Sequence, residues 1–515
     1  MSKRAKLFFS KQKASVMALL MVQIVFIFVL AAISSSVLIY INFALSFLSV
    51  IVSIHILNKN GKPAFKITWI FLILTFPVFG GLFYMVFYLQ SDPRKYRANI
   101  KKAVRESRPF FLLPGNALKE LENEKYFIQA RYLQEQHGFP VYTRTETVYF
   151  PSGEDFYKRL LVELEKAEKY IFLEFFIITA GKMLDGIMDI LKRKAKDGID
   201  IRFLYDDLGC MKKLPENWEQ TLNNAGIRFQ VFNPFRPVLS SVQNYRDHRK
   251  IVSVDGRTAF TGGINIGDEY INAYEKYGHW KDSALMIKGH AAWSLTMLFI
   301  RFWNSSFAVG KKFPYRKDFN SFYPWNVNLC TIAGEGYIQP YAGNPVNREY
   351  ICEQVYLRMI NNAKDYLYIN TPYLIPDDIV FSSLVSQAKA GTDIRIITPH
   401  KPDKPLVHRV TRAYYRRLLE AGVRIFEYLK GFNHSKTFVA DDISATVGSA
   451  NLDFRSLCLH FECGVWLYKT QTVLDIKKDF LNTLESCKEI TLADCSRSVF
   501  SRAVDNVLCI LAPVL

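Results

Sequence analysis

Residues 246–256 read RDHRKIVSVDG, and residues 432–442 read FNHSKTFVADD. Both contain His-x-Lys-x-x-x-x-Asp, once at His248, Lys250 and Asp255 and once at His434, Lys436 and Asp441. In extended chain, residues two apart project from one face, so each copy aims an imidazole and an ammonium group the same way. Asp255-Gly256 and Asp441-Asp442 then supply a tight turn into a second strand-like run. A single match of this kind arises by chance on the order of a few hundredths of a time in such a chain, so two with the same sequel indicate design.

Just beyond each copy lie TGGINIGDEY (261–270) and VGSANLDFRS (447–456). Their small residues let backbone approach a ligand, and Asn265, Ser449 and Asn451 can donate hydrogen bonds to it. The flanking segments repeat as well. AEKYIFLEFFII (167–178), GIDIRFLYDD (198–207) and NAGIRFQVF (224–232) return as AKDYLYINTPYLI (363–375), GTDIRIITPH (391–400) and EAGVRIFEY (420–428). The offsets stay between 186 and 196 residues, far longer than a solenoid repeat, so the chain carries a duplicated α/β domain. Helices alternating with strands predict largely parallel sheets with helices packed outside.

The organisation expected is an N-terminal membrane anchor over residues 1–90, a basic connector over 91–135, one half over 136–322 and the other over 323–515. From Ala14 to Leu57 no residue is charged, and 44 residues would make a helix roughly 66 Å long, about twice a bilayer core. Two spans broken near Ser34-Ser35-Ser36 account for that length. A further uncharged run, Ile67–Leu89, contains Pro77, Gly80 and Gly81 and is expected to be re-entrant or shallow. The basic N-terminus, 58–66 loop and 92–108 stretch put the catalytic part on the cytoplasmic side.

Of the net charge of +18, +13 lies at or before residue 109 and only +5 in the remainder. Basicity gathered beside apolar stretches suits an anionic lipid bilayer and argues against nucleic acid as partner. The eight cysteines are scattered with no C-x-x-C pair, which reads as reduced thiols and implies no disulfide framework or zinc site. The closing stretch, 498–515, spaces Val499, Phe500, Ala503, Val504, Val507, Leu508 and Leu511 on one helical face, expected to pack on the domain in preference to the membrane.

Two histidines with two lysines suit phosphodiester chemistry without a metal. One imidazole attacks phosphorus, the other protonates the departing alcohol, and the ammonium groups stabilise the non-bridging oxygens. Either half alone lacks one role, so both must meet at one site. The other seven histidines (55, 137, 279, 290, 400, 408 and 460) have no such setting and read as structural or surface residues.

At these residues the sequence resembles the phospholipase D superfamily, and within it the bacterial cardiolipin synthases. NYRDHRKI, GGINIGDEY, GHWKDSALMIKG (278–289), NTPYLIPDD (370–378), FNHSKTFVADD, GSANLDFRS and the N-terminal PVFGGLFYMVF are similar to that family's blocks. The resemblance implies two phospholipase D-like halves sharing one active site in a multi-pass protein of the bacterial inner membrane. It implies phosphatidylglycerol as donor and acceptor, a phosphatidyl-histidine intermediate on His248, and His434 as acid and then base. Lys250, Lys436, Asn265 and Asn451 would hold the phosphoryl oxygens, with Ser449 nearby. Glu462 would orient His248 and Asp282 would orient His434, each from the opposite half. Asp255 and Asp441 complete the catalytic motif, though their place at turns also suits a structural role. Where the family commonly has Asn-Phe-Glu, this chain has His460-Phe461-Glu462. A phospholipase D using water or another alcohol as acceptor shares the same motifs, as do nucleases; a catalytically silent scaffold would not need both histidines.

Overall fold

The computed structural model describes residues 36–514 apart from 77–79, 82–83, 86–92, 112–116, 212, 236–240, 306–318, 325–333 and 347–348. The first expected span and the N-terminal basic cluster therefore lie outside the described residues. In the first half the strands are β1 (Thr145–Phe150), β2 (Tyr170–Phe175), β3 (Asp200–Asp206), β4 (Arg228–Phe232), β5 (Arg246–Asp247), β6 (Ile251–Val254), β7 (Thr258–Gly262), β8 (His279–Lys281) and β9 (Ala284–Gly289). The second half has β10 (Tyr337–Gly343), β11 (Tyr366–Asn370), β12 (Leu374–Ile375), β13 (Asp393–Pro399), β14 (Arg424–Tyr428), β15 (Gly431–Asn433), β16 (Thr437–Ala440), β17 (Ser444–Gly448), β18 (Leu452–Asp453), β19 (His460–Tyr468) and β20 (Cys487–Ile490).

The two main sheets have the same plan. One runs β1-β9-β7-β6-β2-β3-β4, and the other β10-β19-β17-β16-β11-β13-β14 with β20 added at the edge. This is the duplicated α/β architecture that the repeat implies, but the sheets are mixed and not largely parallel. Only β2-β3-β4 and β11-β13-β14 pair in parallel; the remaining neighbours along both paths are antiparallel. The reason is the turn chemistry. Asp255 and Gly256 have φ of 53° and 68°, and Asp441 and Asp442 of 52° and 59°, which closes a hairpin that leaves no room for a crossover helix.

Where the sequence does place crossover helices, they form. Lys182–Lys196 links β2 to β3, buries Met183, Leu184, Ile187, Met188, Ile190 and Leu191, and gathers Arg193, Lys194 and Lys196 in its last turn, where the helix dipole favours cations.

The halves are joined by exchanged strand pairings. β5 of the first half pairs in parallel with β19, setting Arg246 opposite His460 and Asp247 opposite Phe461. β15 of the second half pairs in parallel with β8, setting Phe432 opposite Trp280 and Asn433 opposite Lys281. Each exchange ends at a motif histidine. The His248 amide donates to the Phe461 carbonyl at 2.9 Å, and the His434 amide donates to the Lys281 carbonyl at 2.7 Å. The residues following those carbonyls are Glu462 and Asp282.

Upstream, Ser36–Leu57 is a single 22-residue helix with no charged residue, followed by a helix over Pro63–Thr75. Side chains of the longer helix are described without a break only from Phe43, and among the described residues no helix is long and apolar enough to cross a membrane. The loop between these helices is tied to the catalytic body. Lys62 is paired with the buried carboxylates of Glu353 and Asp377, and Phe65 packs edge-on against Phe454 with ring centroids 6.1 Å apart. Seven cysteines are free thiols among the described residues.

Candidate active site

His248 and His434 line one cavity of about 520 Å³, together with Asn265, Asn451 and Lys404. The size suits a lipid headgroup. His248 Nδ1 lies 3.0 Å from Glu462 Oε1, and His434 Nδ1 lies 2.6 Å from Asp282 Oδ2. Every one of these four side chains is at least nine-tenths buried. A carboxylate on Nδ1 fixes that nitrogen as the N–H and leaves Nε2 with a lone pair, which is the form a nucleophile or base requires.

The acids are themselves held. Glu462 accepts hydroxyl hydrogen bonds from Ser449 at 2.5 Å and Ser456 at 2.6 Å. Asp282 Oδ1 accepts from the Ser283 amide at 2.8 Å. Ser456 is positioned because Asp453 caps its helix, the Asp453 carboxylate accepting from the Ser456 amide.

Charge and burial set the protonation states. Burial first, then the ammonium groups of Lys250 and Lys436, push the His248 imidazole well below its ordinary range. His434 falls to about 4 for the same two reasons, burial and Lys436, against the opposing pull of Asp282. Burial alone would raise Asp282, but His434 and Lys436 hold it below the usual carboxylate range. Burial lowers Lys250 to about 8 and Lys436 to about 7. Both rings are therefore neutral at pH 7.

Several expected site residues are placed differently from the sequence reading. The Lys250 ammonium donates to the His248 carbonyl at 2.6 Å, and Lys436 donates likewise to the His434 carbonyl. Neither lysine lines the cavity, so their charge reaches it from behind the histidines. Ser449 is fully buried against Glu462 and orients the acid in place of a phosphate. Asn265 lines the cavity, but its Oδ1 accepts from the Ile177 amide and its Nδ2 donates to the Tyr270 hydroxyl at 2.9 Å. Asn451 lines the cavity, and among the described residues its buried Oδ1 has no hydrogen-bond partner.

Asp255 and Asp441 are not brought to the cavity. The Asp255 carboxylate accepts from the amides of Glu168, Lys169 and Tyr170 at 2.8–2.9 Å, bracing the start of β2. Asp441 does the same for Lys364, Asp365 and Tyr366 at the start of β11 and pairs with Lys125. The positive φ each turn needs, and the three amides each carboxylate satisfies, explain the residue without catalysis. Asp255→Ala is accordingly expected to cost about 3 kcal/mol of stability while leaving turnover of the folded enzyme within about threefold. Thermal melts run beside assays at low temperature check this; a large fall in kcat with an unchanged melting temperature would contradict it.

One site residue was missed. His460 lines the cavity with its ring centroid 5.4 Å from that of His248, and its Nδ1 lies 3.6 Å from Glu462 Oε1. Among the described residues neither buried ring nitrogen has a partner within hydrogen-bond distance, and burial, against the pull of Glu462, lowers the imidazole to about 3. The available signal was the His-Phe-Glu in place of Asn-Phe-Glu. Ligand atoms of His248, His460 and Glu462 all lie within 4.8 Å of one another, a grouping that sequence spacing did not announce. Two serine hydroxyls and His248 Nδ1 already occupy that carboxylate, which acts here as a hydrogen-bond acceptor.

Comparison with known proteins agrees with this geometry. Residues 160–291 and 356–484 match the family described as cardiolipin synthase, PLD-like domain, and residues 47–87 match the phospholipase D-nuclease N-terminal family. A cardiolipin synthase of Alkalihalophilus pseudofirmus is 34% identical over 91% of this chain and 92% of its own length. One from a Geobacillus species is 35% identical over 93% of both. Among solved structures, phosphatidylserine synthase of Haemophilus influenzae superposes with a TM-score of 0.56 at 15% identity, covering 75% of this chain and 99% of the other, a likeness of fold. The chain belongs to the cardiolipin synthase family of phospholipase D-like phosphatidyltransferases.

Proposed function

We propose that this enzyme joins two phosphatidylglycerol molecules into cardiolipin and glycerol. The observation that carries the reading is the pair of neutral histidines, one per half, each anchored through Nδ1 and facing one headgroup-sized cavity. His248 Nε2 attacks the donor phosphorus, and the bond from phosphorus to the glycerol oxygen breaks. His434, protonated once the anionic phosphodiester is bound, gives its proton from Nε2 to that oxygen. Glycerol leaves and phosphatidyl-His248 remains. His434 then takes the proton from the free hydroxyl of a second phosphatidylglycerol, whose oxygen attacks phosphorus as the phosphorus–nitrogen bond breaks. Both histidines return to their starting state, and one phosphodiester has been exchanged for another.

Lys250 and Lys436 supply positive potential to both steps. Their depressed pKa values set an alkaline limit, because a lysine that loses its proton near pH 7 to 8 no longer attracts the phosphate. The acid limit comes from His248, which must be unprotonated to attack and whose pKa lies well below 6.5. A bell-shaped kcat/KM is therefore expected, displaced to acidic pH and falling as pH rises through 7 to 8. A profile measured with chemistry rate-limiting checks this; a rate still rising at pH 9 would contradict it.

Both substrates reside in the bilayer, which fits attachment by the N-terminal region with the catalytic body in the cytoplasm of a bacterial cell. Supporting this are the uncharged stretch Ala14–Leu57 and the outward side chains of Phe43 and Phe47, 71% and 68% exposed. The assignment is tested with purified protein in vesicles of glycerol-labelled phosphatidylglycerol. Cardiolipin formed in step with released glycerol supports it, whereas phosphatidic acid as main product makes the enzyme a phospholipase D.

A further inference from the structure

The C-terminal helix, Val499–Leu511, turns an apolar face outward. Ser498 caps its N-terminus, and Asp505 is buried between Arg409 at 2.7 Å and Arg497 at 2.6 Å. That buried ion pair fixes the rotation of the helix. At 100° per residue, Val499, Phe500, Ala503 and Val507 fall on a single arc opposite Asp505. Val499 is 75%, Phe500 79% and Val507 42% exposed, although sequence reasoning expects this face to pack on the domain. What packs is the other side, where Leu508 and Cys509 join Ile375, Val410, Phe454 and Ala512 in a small cluster.

The C-terminal helix sits against one of the two apolar N-terminal helices. The helix Pro63–Thr75 packs directly on Val499–Leu511, and Thr68 Oγ1 donates to the Ile510 carbonyl at 2.6 Å. That neighbouring helix exposes Ile67 and Leu74, and the preceding helix exposes Phe47, Ile51 and Ile54. Immediately past the C-terminal helix, Ala512 lines the active-site cavity beside Ile375, Val407 and Phe454. Exposed apolar side chains thus lie on three helices that pack in series, and the chain just past the last of them reaches the cavity wall. Arg502, exposed on its flank, offers a counter-charge to anionic headgroups.

We infer that the C-terminal helix is a second membrane-contacting element, which lies in the bilayer interface and seats the cavity wall against anionic lipid so that a substrate's acyl chains stay in the membrane while its headgroup enters. A bilayer covers the exposed faces of all three of these helices and also supplies a two-tailed substrate. The inference rests on the reading of the site as one acting on bilayer phospholipid.

The test uses the full-length protein in phosphatidylglycerol vesicles with p-benzoylphenylalanine at position 500, and at position 474 as an exposed apolar control. Photolysis is expected to yield lipid adducts at 500 and none at 474. In parallel, the combined Val499→Ser, Phe500→Ser and Val507→Ser variant is expected to turn over vesicle lipid at least about tenfold more slowly, while turnover of monomeric short-chain phosphatidylglycerol stays within about twofold. Absence of lipid adducts at 500, or an equal loss on both substrates, would overturn the inference. The photolysis result does not depend on which product the enzyme makes, so it stands apart from any failure of the synthase assignment.

Discussion

His248→Ala is expected to lose lipid turnover by at least about 10,000-fold and to form no covalent lipid adduct. His434→Ala loses turnover to a similar degree but behaves differently in one respect. Given a donor whose leaving group needs no protonation, such as a phosphatidyl p-nitrophenol, it releases one equivalent and retains phosphatidyl-His248, because the base for the second step is gone. Acid-quenched protein analysed by mass spectrometry distinguishes the two. An adduct in His248→Ala would exchange the roles assigned to the two rings. Which ring is the nucleophile rests on the resemblance and not on geometry, since the two Nδ1 contacts are nearly equivalent, and this experiment separates the two roles.

The second large effect concerns the acids. Asp282→Asn is expected to lower kcat by about 100- to 10,000-fold with little change in KM or thermal stability. An amide can donate to Nδ1 and so select the tautomer that carries its hydrogen on Nε2, which blocks both proton transfers. Glu462→Gln acts in the same way on the nucleophile, with an added cost because Ser449 and Ser456 donate to the same carboxylate. Asp282→Glu keeps the charge and recovers part of the rate. An Asp282→Asn enzyme with wild-type kcat would mean that the His434 tautomer is set by something else.

The duplication, the Asp255-Gly256 and Asp441-Asp442 turns and the motif histidines were legible in the sequence because each depends on local pattern: alternation, positive φ and spacing. The resemblance pointed to Glu462 and Asp282 as partners, and the structure puts their carboxylates at Nδ1 of His248 and His434. How they get there was not legible. It depends on the pairing of β5 with β19 and of β15 with β8, contacts between residues more than 150 positions apart that no local period encodes. The same limit hid the true work of Ser449, whose Gly-Ser-Ala-Asn context suggests a phosphate loop while its hydroxyl points at Glu462. His460 was set aside for lack of a motif, yet β19 carries it to the cavity wall two residues from Glu462. Likewise, nothing around Lys62 announced that an anchor-loop cation would be buried against Glu353 and Asp377 of the second half.

The central physical claim is that one phosphoryl group sits between two imidazoles, one from each copy of the duplication. A structure with tungstate soaked into the cavity tests it most directly. A single oxyanion is expected, bonded to His248 Nε2 and within hydrogen-bond distance of His434 Nε2. Two separate oxyanions, one at each histidine with neither bridging the halves, would contradict the shared site.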